Sequence, residues 1–314
     1  MRDELGAREI AVAGAWPRPD EAARAALARA LDALPDGAVV LADGLVACGV
    51  PEVVAPRAAR LRLAVLVHMP LADDVGLPGD LAAELDRREA QTLAAAAMVV
   101  ATSRTTARRL ATRHGLDGIE VVPPGAEPAP LSATSATGDR LLCVGSVSPL
   151  KGQDVLVEAL ATLADLPWHC RCVGPPRDPG FAADLHERID RRGLSDRIRL
   201  VGPRTGELYA DTDLVVLPSR AESYGMVVTE ALARGIPVAG SDVGGVPEAL
   251  GDTAAGVPGL LVAPDDPAAL AAALHGWLTD AGLRHRLQAA ARLRRDALEP
   301  WPDAARRMAE VLAR

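Results

Sequence analysis

The stretch from Leu217 to Leu250, LPSRAESYGMVVTEALARGIPVAGSDVGGVPEAL, decides how this chain folds. It continues a short apolar run, LVVL at 214–217, which predicts a buried strand of a parallel sheet that Pro218 ends. A helix is predicted over 224–234, and the Gly-Ile-Pro that follows it is a typical helix stop. A buried strand followed directly by a helix indicates an α/β fold, in which helices cover a parallel sheet.

Two carboxylates, Glu222 and Glu230, flank the turn between this strand and this helix, with seven residues between them. Ligands bind at the carboxyl ends of the strands in doubly wound sheets, so Glu222 is predicted to lie in a binding site. The first helical amides, at Gly225, Met226 and Val227, can bind an anion through their N–H groups. Glutamates are common on surface helices and the pair alone would mean little, but the whole layout favours a phosphorylated sugar held from both ends.

These features resemble the C-terminal signature of retaining glycosyltransferases with the GT-B fold, in particular family 4. Glu222 and Glu230 meet the family pattern E-x7-E, and the patterns G-x-P-V and G-G-x-x-E follow at 235–238 and 244–248. Tyr224 stands where the family usually carries phenylalanine. The resemblance implies transfer of a hexose-type sugar from a nucleotide diphosphate sugar to an acceptor hydroxyl with retained configuration. It implies no metal or other cofactor.

The resemblance also assigns roles to residues outside that stretch. The loop GSVSPLKG at 145–152 resembles the family's phosphate-facing loop, in which Lys151 matches a lysine that contacts the donor diphosphate. A lysine at a helix N-terminus is electrostatically unfavourable, so its placement indicates an anionic partner. Ser146 replaces an arginine that many relatives carry, and Arg204 is a candidate to supply that charge. His68 matches a histidine near the transferred sugar, although a satisfied histidine at the edge of a core explains the sequence nearly as well.

The residues implied by the resemblance form two sets. Catalytic roles are expected for His68, Lys151 and Glu222. Within the donor complex, Glu222 is expected to hold sugar hydroxyls, Glu230 the ribose, and Lys151 the phosphates. The donor-binding set comprises Gly145, Ser146, Lys151, Arg204, Glu222, Tyr224, Gly225, Met226, Val227 and Glu230.

Strands and helices alternate through both halves of the chain, which predicts two doubly wound, Rossmann-like domains facing a cleft. The predicted organisation is an acceptor domain at 1–127, a linker rich in Pro, Ser and Thr at 128–139, a donor domain at 140–288, and a helix at 289–314 that crosses back to the first domain. Strands of the first half are expected at 10–13, 39–42, 63–68, 98–101 and 119–122. The family's opening strand and Gly-Gly loop are not found, so the first domain is expected to be incomplete at its start.

Composition restricts the classes of function further. The 314 residues are 49% hydrophobic and carry a formal net charge of −8, which argues against nucleic-acid binding as the main role. Four cysteines do not suggest a disulfide framework, and two of them, at 170 and 172, are expected on opposite faces of a strand. No leader peptide or membrane span is predicted, and a cytoplasmic location is expected.

Two further motifs are interpreted as structural. Asp211 and Asp213 spell D-x-D, a metal-binding pattern in glycosyltransferases of another fold, but they lie between a helix and a buried strand. The arginines of the helix at 104–114 are read as a solvated face, with weak peripheral lipid contact as the minority alternative. The expected partners are therefore a nucleotide-sugar donor and a small-molecule, glycan or lipid acceptor.

Two alternatives remain open at this stage. One is a GT-B relative that is not a transferase, such as a nucleotide-sugar epimerase. The other is a noncatalytic protein that binds nucleotide sugars, which the shortened start would favour.

Overall fold

A computed structural model describes residues 6–73, 76–204 and 208–314 of the chain. The described residues form two compact units. Unit 1 contains the chain up to Gly125 together with Trp301–Arg314, and unit 2 contains Ala126–Pro300. Each unit is built on one parallel sheet with helices packed against it, so the predicted α/β fold with two Rossmann-like units is confirmed.

Unit 1 is built from four strands and six helices among the described residues. In chain order they are α1 (Glu21–Asp32), β1 (Val39–Asp43), α2 (Gly44–Ala47), α3 (Pro51–Ala58), β2 (Arg62–Val67), α4 (Gly79–Ala95), β3 (Met98–Ala101), α5 (Arg104–His114), β4 (Glu120–Val121) and α12 (Trp301–Ala313). A 3-10 turn at Leu71–Asp73 follows β2.

The sheet of unit 1 has the order β1-β2-β3-β4, so each strand pairs with the next one along the chain. The strand β1 lies at one edge of the described sheet, and Val39 at its start is 49% exposed. On one face, Met308 and Val311 of α12 pack with Val100 and Val122, which joins the last helix of the chain to this unit.

The strand predicted at 10–13 is wrong. Residues 7–13 have no regular secondary structure, and Ile10 is 42% exposed. The Trp16 indole N–H donates to the Val12 carbonyl at 3.1 Å, and a side chain at Gly14 would lie 2.9 Å from Ala23 of α1. The segment therefore turns onto a helix and does not extend along a neighbouring strand.

Unit 2 is built from six strands and six helices among the described residues. In chain order they are β5 (Arg140–Val144), α6 (Gln153–Ala161), β6 (His169–Val173), α7 (Pro179–Arg191), β7 (Ile198–Val201), β8 (Leu214–Leu217), α8 (Met226–Leu232), β9 (Val238–Ser241), α9 (Val246–Leu250), β10 (Gly259–Val262), α10 (Pro267–Thr279) and α11 (Ala281–Asp296). A 3-10 turn at Pro149–Lys151 precedes α6. The sequence also predicts an element at 207–210, which begins outside the described residues.

The strand order of unit 2, β10-β9-β8-β5-β6-β7, reverses between β8 and β5. These two strands are central neighbours, paired through Leu141 with Leu214 and Leu142 with Val215, and β8 is fully buried. In doubly wound sheets, the carboxyl ends of the two strands at such a reversal flank the usual ligand crevice. The loops that follow β5 and β8 are therefore the part of unit 2 where a ligand site is expected.

Two other expectations are modified by the structure. Residues 128–139 contain no helix or strand, but they belong to unit 2, where the Trp277 indole donates to the Gly138 carbonyl at 2.7 Å. Cys170 and Cys172 lie on the same face of β6 and in the same core cluster, because residues two apart on a strand share a face. The expectation that these cysteines face opposite sides was wrong.

Candidate functional site

Lys151 and Glu222 come together at the reversal point of unit 2. Lys151 ends the 3-10 turn after β5, Glu222 lies in the loop after β8, and the Lys151 ammonium forms an ion pair with Glu222 Oε1. The Ser219 hydroxyl donates to the same oxygen at 2.8 Å. The side chains of Lys151 and Glu222 are 22% and 10% exposed, so both groups are held in a largely desolvated position that remains open on one side.

The sequence contains a signal at this position that the motif analysis missed. Lys151 is the one lysine of the chain, and every other basic side chain apart from histidine is arginine. An ammonium group is a compact charge, whereas guanidinium is a planar fork, so the two are not interchangeable in a confined site. The lysine stem passes close to the main chain, since a side chain at Gly145 would contact Lys151 Cδ at 3.4 Å.

The two loops that carry Lys151 and Glu222 are packed directly on each other. A Cβ atom at Gly152 would lie 2.0 Å from the Pro218 carbonyl oxygen, so only glycine allows this approach. The Arg220 amide donates to the Leu150 carbonyl at 2.8 Å. The main chain therefore fixes the spacing of the two loops that carry the ammonium and the carboxylate.

Arg220 reinforces this junction with its side chain. Its guanidinium binds both oxygens of Asp154 in the first turn of α6, at 3.0 and 2.8 Å, and donates to the Pro149 carbonyl. Its Nε donates to Asp265 at 2.6 Å. The hydrogen bond to Asp154 is the largest cause that raises the pKa of Arg220. Sequence reasoning did not identify Arg220, because its partners are distant in the chain.

A third loop supports Glu222 from the side of β9. The Gly-Gly turn after β9 brings Gly244, at φ +51°, against the main chain of Glu222. A Cβ atom there would lie 1.6 Å from the Glu222 carbonyl oxygen. The G-G-x-x-E pattern thus acts in this chain through close main-chain contact with the Glu222 loop.

The helix after Glu222 begins slightly later than expected. Gly225 is its N-cap in the left-handed region, and α8 covers Met226–Leu232, seven residues in place of the predicted 224–234. Gly225, Met226 and Val227 therefore form the N-terminal end of this short helix. The Tyr224 ring is 7% exposed and lies in a core cluster, so this side chain is mainly a packing residue, and burial raises its pKa.

Glu230 is held by a tyrosine that the sequence did not suggest. The Tyr209 hydroxyl donates to Glu230 Oε2 at 2.6 Å, and Tyr209 is 4% exposed. The Arg234 guanidinium lies over the Tyr209 ring, 4.5 Å from its centroid. Tyr209 and Glu230 are 21 positions apart in the sequence, a separation that follows no local spacing rule, which is why sequence reasoning missed the pair.

The remaining predicted donor residues are more dispersed. The Ser146 main-chain carbonyl accepts a hydrogen bond from the Gln153 side-chain amide at 2.9 Å, which connects the loop after β5 to α6. Arg204 is exposed in the loop after β7. Since β6 lies between β5 and β7, the loops that carry Ser146 and Arg204 start about 10 Å apart across the sheet.

His68 lies in unit 1, immediately after β2, and has a carboxylate beside it. Its Nε2 is 3.7 Å from Asp43 Oδ2 at the end of the neighbouring strand β1, and both side chains are about half exposed. The nearby His68 imidazole is the largest cause that lowers the pKa of Asp43. Asp43 could have been found from the sequence, because it lies at the end of a predicted strand next to the one whose end carries His68.

The D-x-D pair is bound within unit 2. Asp213 is fully buried, and its Oδ2 accepts from the Arg140 amide at 2.9 Å and from the Ser135 hydroxyl at 2.7 Å. Asp211 pairs with Arg171. These contacts account for both carboxylates as structural residues.

One group with metal-type ligands does occur in unit 1. Atoms of Asp86, Glu89 and His114 lie within 4.8 Å of one another. Glu89 and His114 are nearly fully buried and share a hydrogen bond of 2.9 Å, and desolvation raises the pKa of Glu89. Glu89 also accepts from the Leu71 amide at 3.1 Å, so the pair fixes the turn after β2. Sequence reasoning missed this group and assigned His114 no role.

The arginines of α5 are not simply a solvated face. Arg109 and Arg113 pair with Asp73 at 2.7 and 3.0 Å, and the Asp73 side chain is 7% exposed. Among the residues that the structure describes, no helix combines the length and apolarity that a membrane span requires.

Comparison with known proteins gives one family and a consistent set of relatives. A family model, "Glycosyl transferases group 1", matches residues 132–294. A D-inositol 3-phosphate glycosyltransferase of Xylanimonas cellulosilytica is 36% identical over 264 residues, which cover 75% of this chain and 62% of that protein. The protein of the same name from Salinispora arenicola is 36% identical over 237 residues, covering 65% and 52%. The chain thus spans about half to three fifths of the length of these relatives.

Solved structures show the same fold. A sucrose-phosphate synthase from Thermosynechococcus elongatus has a TM-score of 0.75 at 23% identity, over 94% of this chain and 79% of that one. Anabaena Alr3699/HepE in complex with UDP and glucose has a TM-score of 0.73 at 21% identity, over 92% and 81%. At these identities the likeness establishes the GT-B fold alone.

Proposed function

Because this chain belongs to the glycosyl transferases group 1 family, we propose that it is a retaining, family 4 glycosyltransferase. In this proposal it moves a hexose-type sugar from a nucleotide diphosphate sugar to an acceptor hydroxyl. The observation that carries the proposal is the Lys151–Glu222 pair at the reversal point between β5 and β8. In that crevice the cation can bind the diphosphate of a sugar diphosphate, and the carboxylate can bind the hydroxyls of its sugar.

Each polar group has a separate proposed role in donor binding. Lys151 binds the diphosphate, Glu222 binds hydroxyls of the sugar, and Glu230 binds the ribose. An ammonium group has three donors, so Lys151 can keep Glu222 and bind a phosphate oxygen at the same time. The family-implied residues Gly145, Ser146 and the amides at 225–227 line the same edge of the sheet.

The proposed reaction needs no nucleophilic side chain. The acceptor hydroxyl attacks the anomeric carbon, the bond to the diphosphate breaks, and a diphosphate oxygen takes the hydroxyl proton. Lys151 stabilises the negative charge that develops on the leaving diphosphate, and the rigid junction at Gly152 and Arg220 holds the groups in place. No metal is proposed.

The relatives suggest where to begin with substrates. The Anabaena structure names UDP and glucose, which makes UDP-sugars the first donors to test. The curated relatives are named for D-inositol 3-phosphate, which is the first acceptor to test ahead of glycans and lipids. His68, with Asp43 beside it, is proposed to bind a hydroxyl of the sugar or the acceptor. The cytoplasmic location expected from the sequence stays a prediction.

The proposal is tested first by binding. Wild type, Lys151→Ala and Glu222→Gln are compared by thermal shift with UDP-, GDP- and ADP-linked sugars, since a bound ligand raises the melting temperature. One nucleotide sugar is expected to stabilise the wild type and neither variant. Because Lys151 is the one lysine, the same ligand should also protect a single internal site from amine labelling in mass spectrometry.

Turnover is then measured as nucleotide release with D-inositol 3-phosphate and other hydroxyl acceptors. Product with the same anomeric configuration as the donor supports a retaining transferase. If a donor raised the melting temperatures of the wild type, Lys151→Ala and Glu222→Gln equally, the proposed binding site would be contradicted. Conversion of the nucleotide sugar without an acceptor product would indicate an epimerase instead.

A further inference from the structure

We propose that Tyr209 is a positioning residue for Glu230 and that it sets the affinity of the site for the ribose of the donor. The inference rests on the proposed function, in which Glu230 binds that ribose. By holding Oε2, Tyr209 leaves Oε1 of the carboxylate to accept a hydrogen bond from a ribose hydroxyl.

The contact between Tyr209 and Glu230 is short and well shielded. Tyr209 lies just before β8, Glu230 lies on α8, and the hydroxyl donates to Oε2 at 2.6 Å. Tyr209 is 4% exposed, in the core cluster that includes Val215 and Leu232. A hydrogen bond to an ionised group in such surroundings is stronger than a neutral one.

The phenol remains a donor at this position. Burial raises the pKa of Tyr209, and the negative charge of Glu230 raises it further, so the hydroxyl stays protonated throughout the working range of an enzyme. A protonated phenol beside a carboxylate can only donate to it. The bond therefore fixes which oxygen of Glu230 is occupied.

Arg234 keeps the tyrosine ring in place. Its guanidinium lies 4.5 Å from the centroid of the Tyr209 ring, and its Nη1 donates to the main-chain carbonyl of Glu230 at 2.8 Å. The ring is thus held between the core and a cation that is itself anchored to Glu230. Tyr209, Glu230 and Arg234 are therefore linked to one another by direct contacts.

Preorganisation is the physical consequence. A free glutamate must lose side-chain freedom when it binds a ligand, whereas Glu230 has already lost it in folding. Losing the hydrogen bond of Tyr209 should weaken ribose binding by roughly 3- to 10-fold, from the usual cost of ordering one side chain. A core tyrosine with a purely structural role would alter folding without discriminating among ligand hydroxyls.

The test measures ligand binding by calorimetry in wild type and Tyr209→Phe. UDP, ADP and GDP are titrated first, and the tightest is compared with its 2′-deoxy and 3′-deoxy counterparts. Tyr209→Phe is expected to weaken the ribonucleotide roughly 3- to 10-fold. It should have no effect on the counterpart that lacks the hydroxyl bound by Glu230.

Two further variants separate failure of this inference from failure of the proposed function. Glu230→Ala should remove the preference for the ribonucleotide altogether. If Glu230→Ala leaves that preference intact, or if the wild type binds none of the three nucleotides, the proposed donor site fails and the inference with it. If Glu230→Ala removes the preference while Tyr209→Phe weakens both nucleotides equally or neither, the role of Tyr209 is overturned.

Arg234→Gln provides a second route should Tyr209→Phe lower the melting temperature. It keeps Tyr209 itself but removes the cation over its ring, and a smaller loss confined to the ribonucleotide is expected. An equal loss for the deoxynucleotide would count against positioning.

Discussion

Replacing Gly244 by alanine should displace Glu222 and remove most of the activity. The added Cβ would lie 1.6 Å from the Glu222 carbonyl oxygen, whereas real Cβ atoms essentially never approach below 3.0 Å. One of the two loops must therefore move by about 1.4 Å. Misplacement of a substrate-binding group by about 1 Å can cost roughly 100-fold in rate, so a loss of kcat/KM of about that size is expected.

Gly193→Ala provides a matched control. Gly193 has φ +67°, close to the +51° of Gly244, but a Cβ there meets no atom within 4 Å. Both variants carry the strain of an alanine in the left-handed region, roughly 1–2 kcal/mol, and only Gly244→Ala carries the clash. The difference between them isolates the effect of moving Glu222.

The assay combines thermal unfolding with steady-state nucleotide release at saturating acceptor. Gly193→Ala should lower the melting temperature slightly and leave kcat/KM unchanged. If Gly244→Ala retains kcat/KM within about threefold of Gly193→Ala, a factor worth only ~0.7 kcal/mol, contact with the Gly-Gly turn does not position Glu222. The reasoning from main-chain proximity would then be refuted.

Two more predictions concern charges outside that contact. Arg220→Lys keeps the charge but loses the two hydrogen bonds to Asp154, so it should cost about 1.5–3 kcal/mol of stability and reduce kcat/KM. Arg191→Lys is the control: it alters a pair whose side chains are about two thirds exposed, and it should change neither stability nor kcat/KM. Equal losses of stability for the two variants in chemical denaturation would contradict the role of Arg220. Asp43→Asn should reduce the fall in the free energy of unfolding at acid pH. The pKa of Asp43 is lowered from its ordinary 3.8, so its stabilisation is present above that pH and is lost as pH falls through the lower pKa of the folded protein. The wild type should therefore lose more stability than the variant as the solution is acidified below pH 4, and equal losses would contradict a stabilising Asp43 carboxylate.

The parts of the fold that could be read from sequence are those fixed by local rules. The strand Leu214–Leu217 and the helix Arg104–His114 have the predicted bounds, because a continuous apolar run and an N-cap residue such as Ser103 are local signals. The helix Pro51–Ala58 was missed because Pro56 inside it is normally a helix breaker. The residues at 10–13 look like a strand by composition alone, and only their contact with α1 excludes one.

The residues of the site also fall into two groups, those that sequence motifs predict and those that only tertiary packing brings together. The positions of Glu222 and Lys151 follow from motifs at strand ends, and strand order then brings them together. By contrast, Tyr209 contacts Glu230 only because α8 packs on the sheet, and His114 of α5 contacts Glu89 of α4 only because the fold brings these two helices together. No spacing rule connects such residues, since their distances are set by tertiary packing rather than by helix or strand periodicity.

Strand order also explains why the site can be rigid although its residues lie far apart in sequence. The loops after β5 and β8 start from paired central strands, so their separation is set by one strand spacing of about 4.8 Å. Gly152 and Pro218 then bring the main chains into contact, and Arg220 joins the loops through Asp154. The main-chain positions of Lys151 and Glu222 therefore cannot separate without breaking the sheet or the junction. Substitutions at Gly152, Arg220 or Gly244 should therefore affect catalysis without removing any group that touches the substrate.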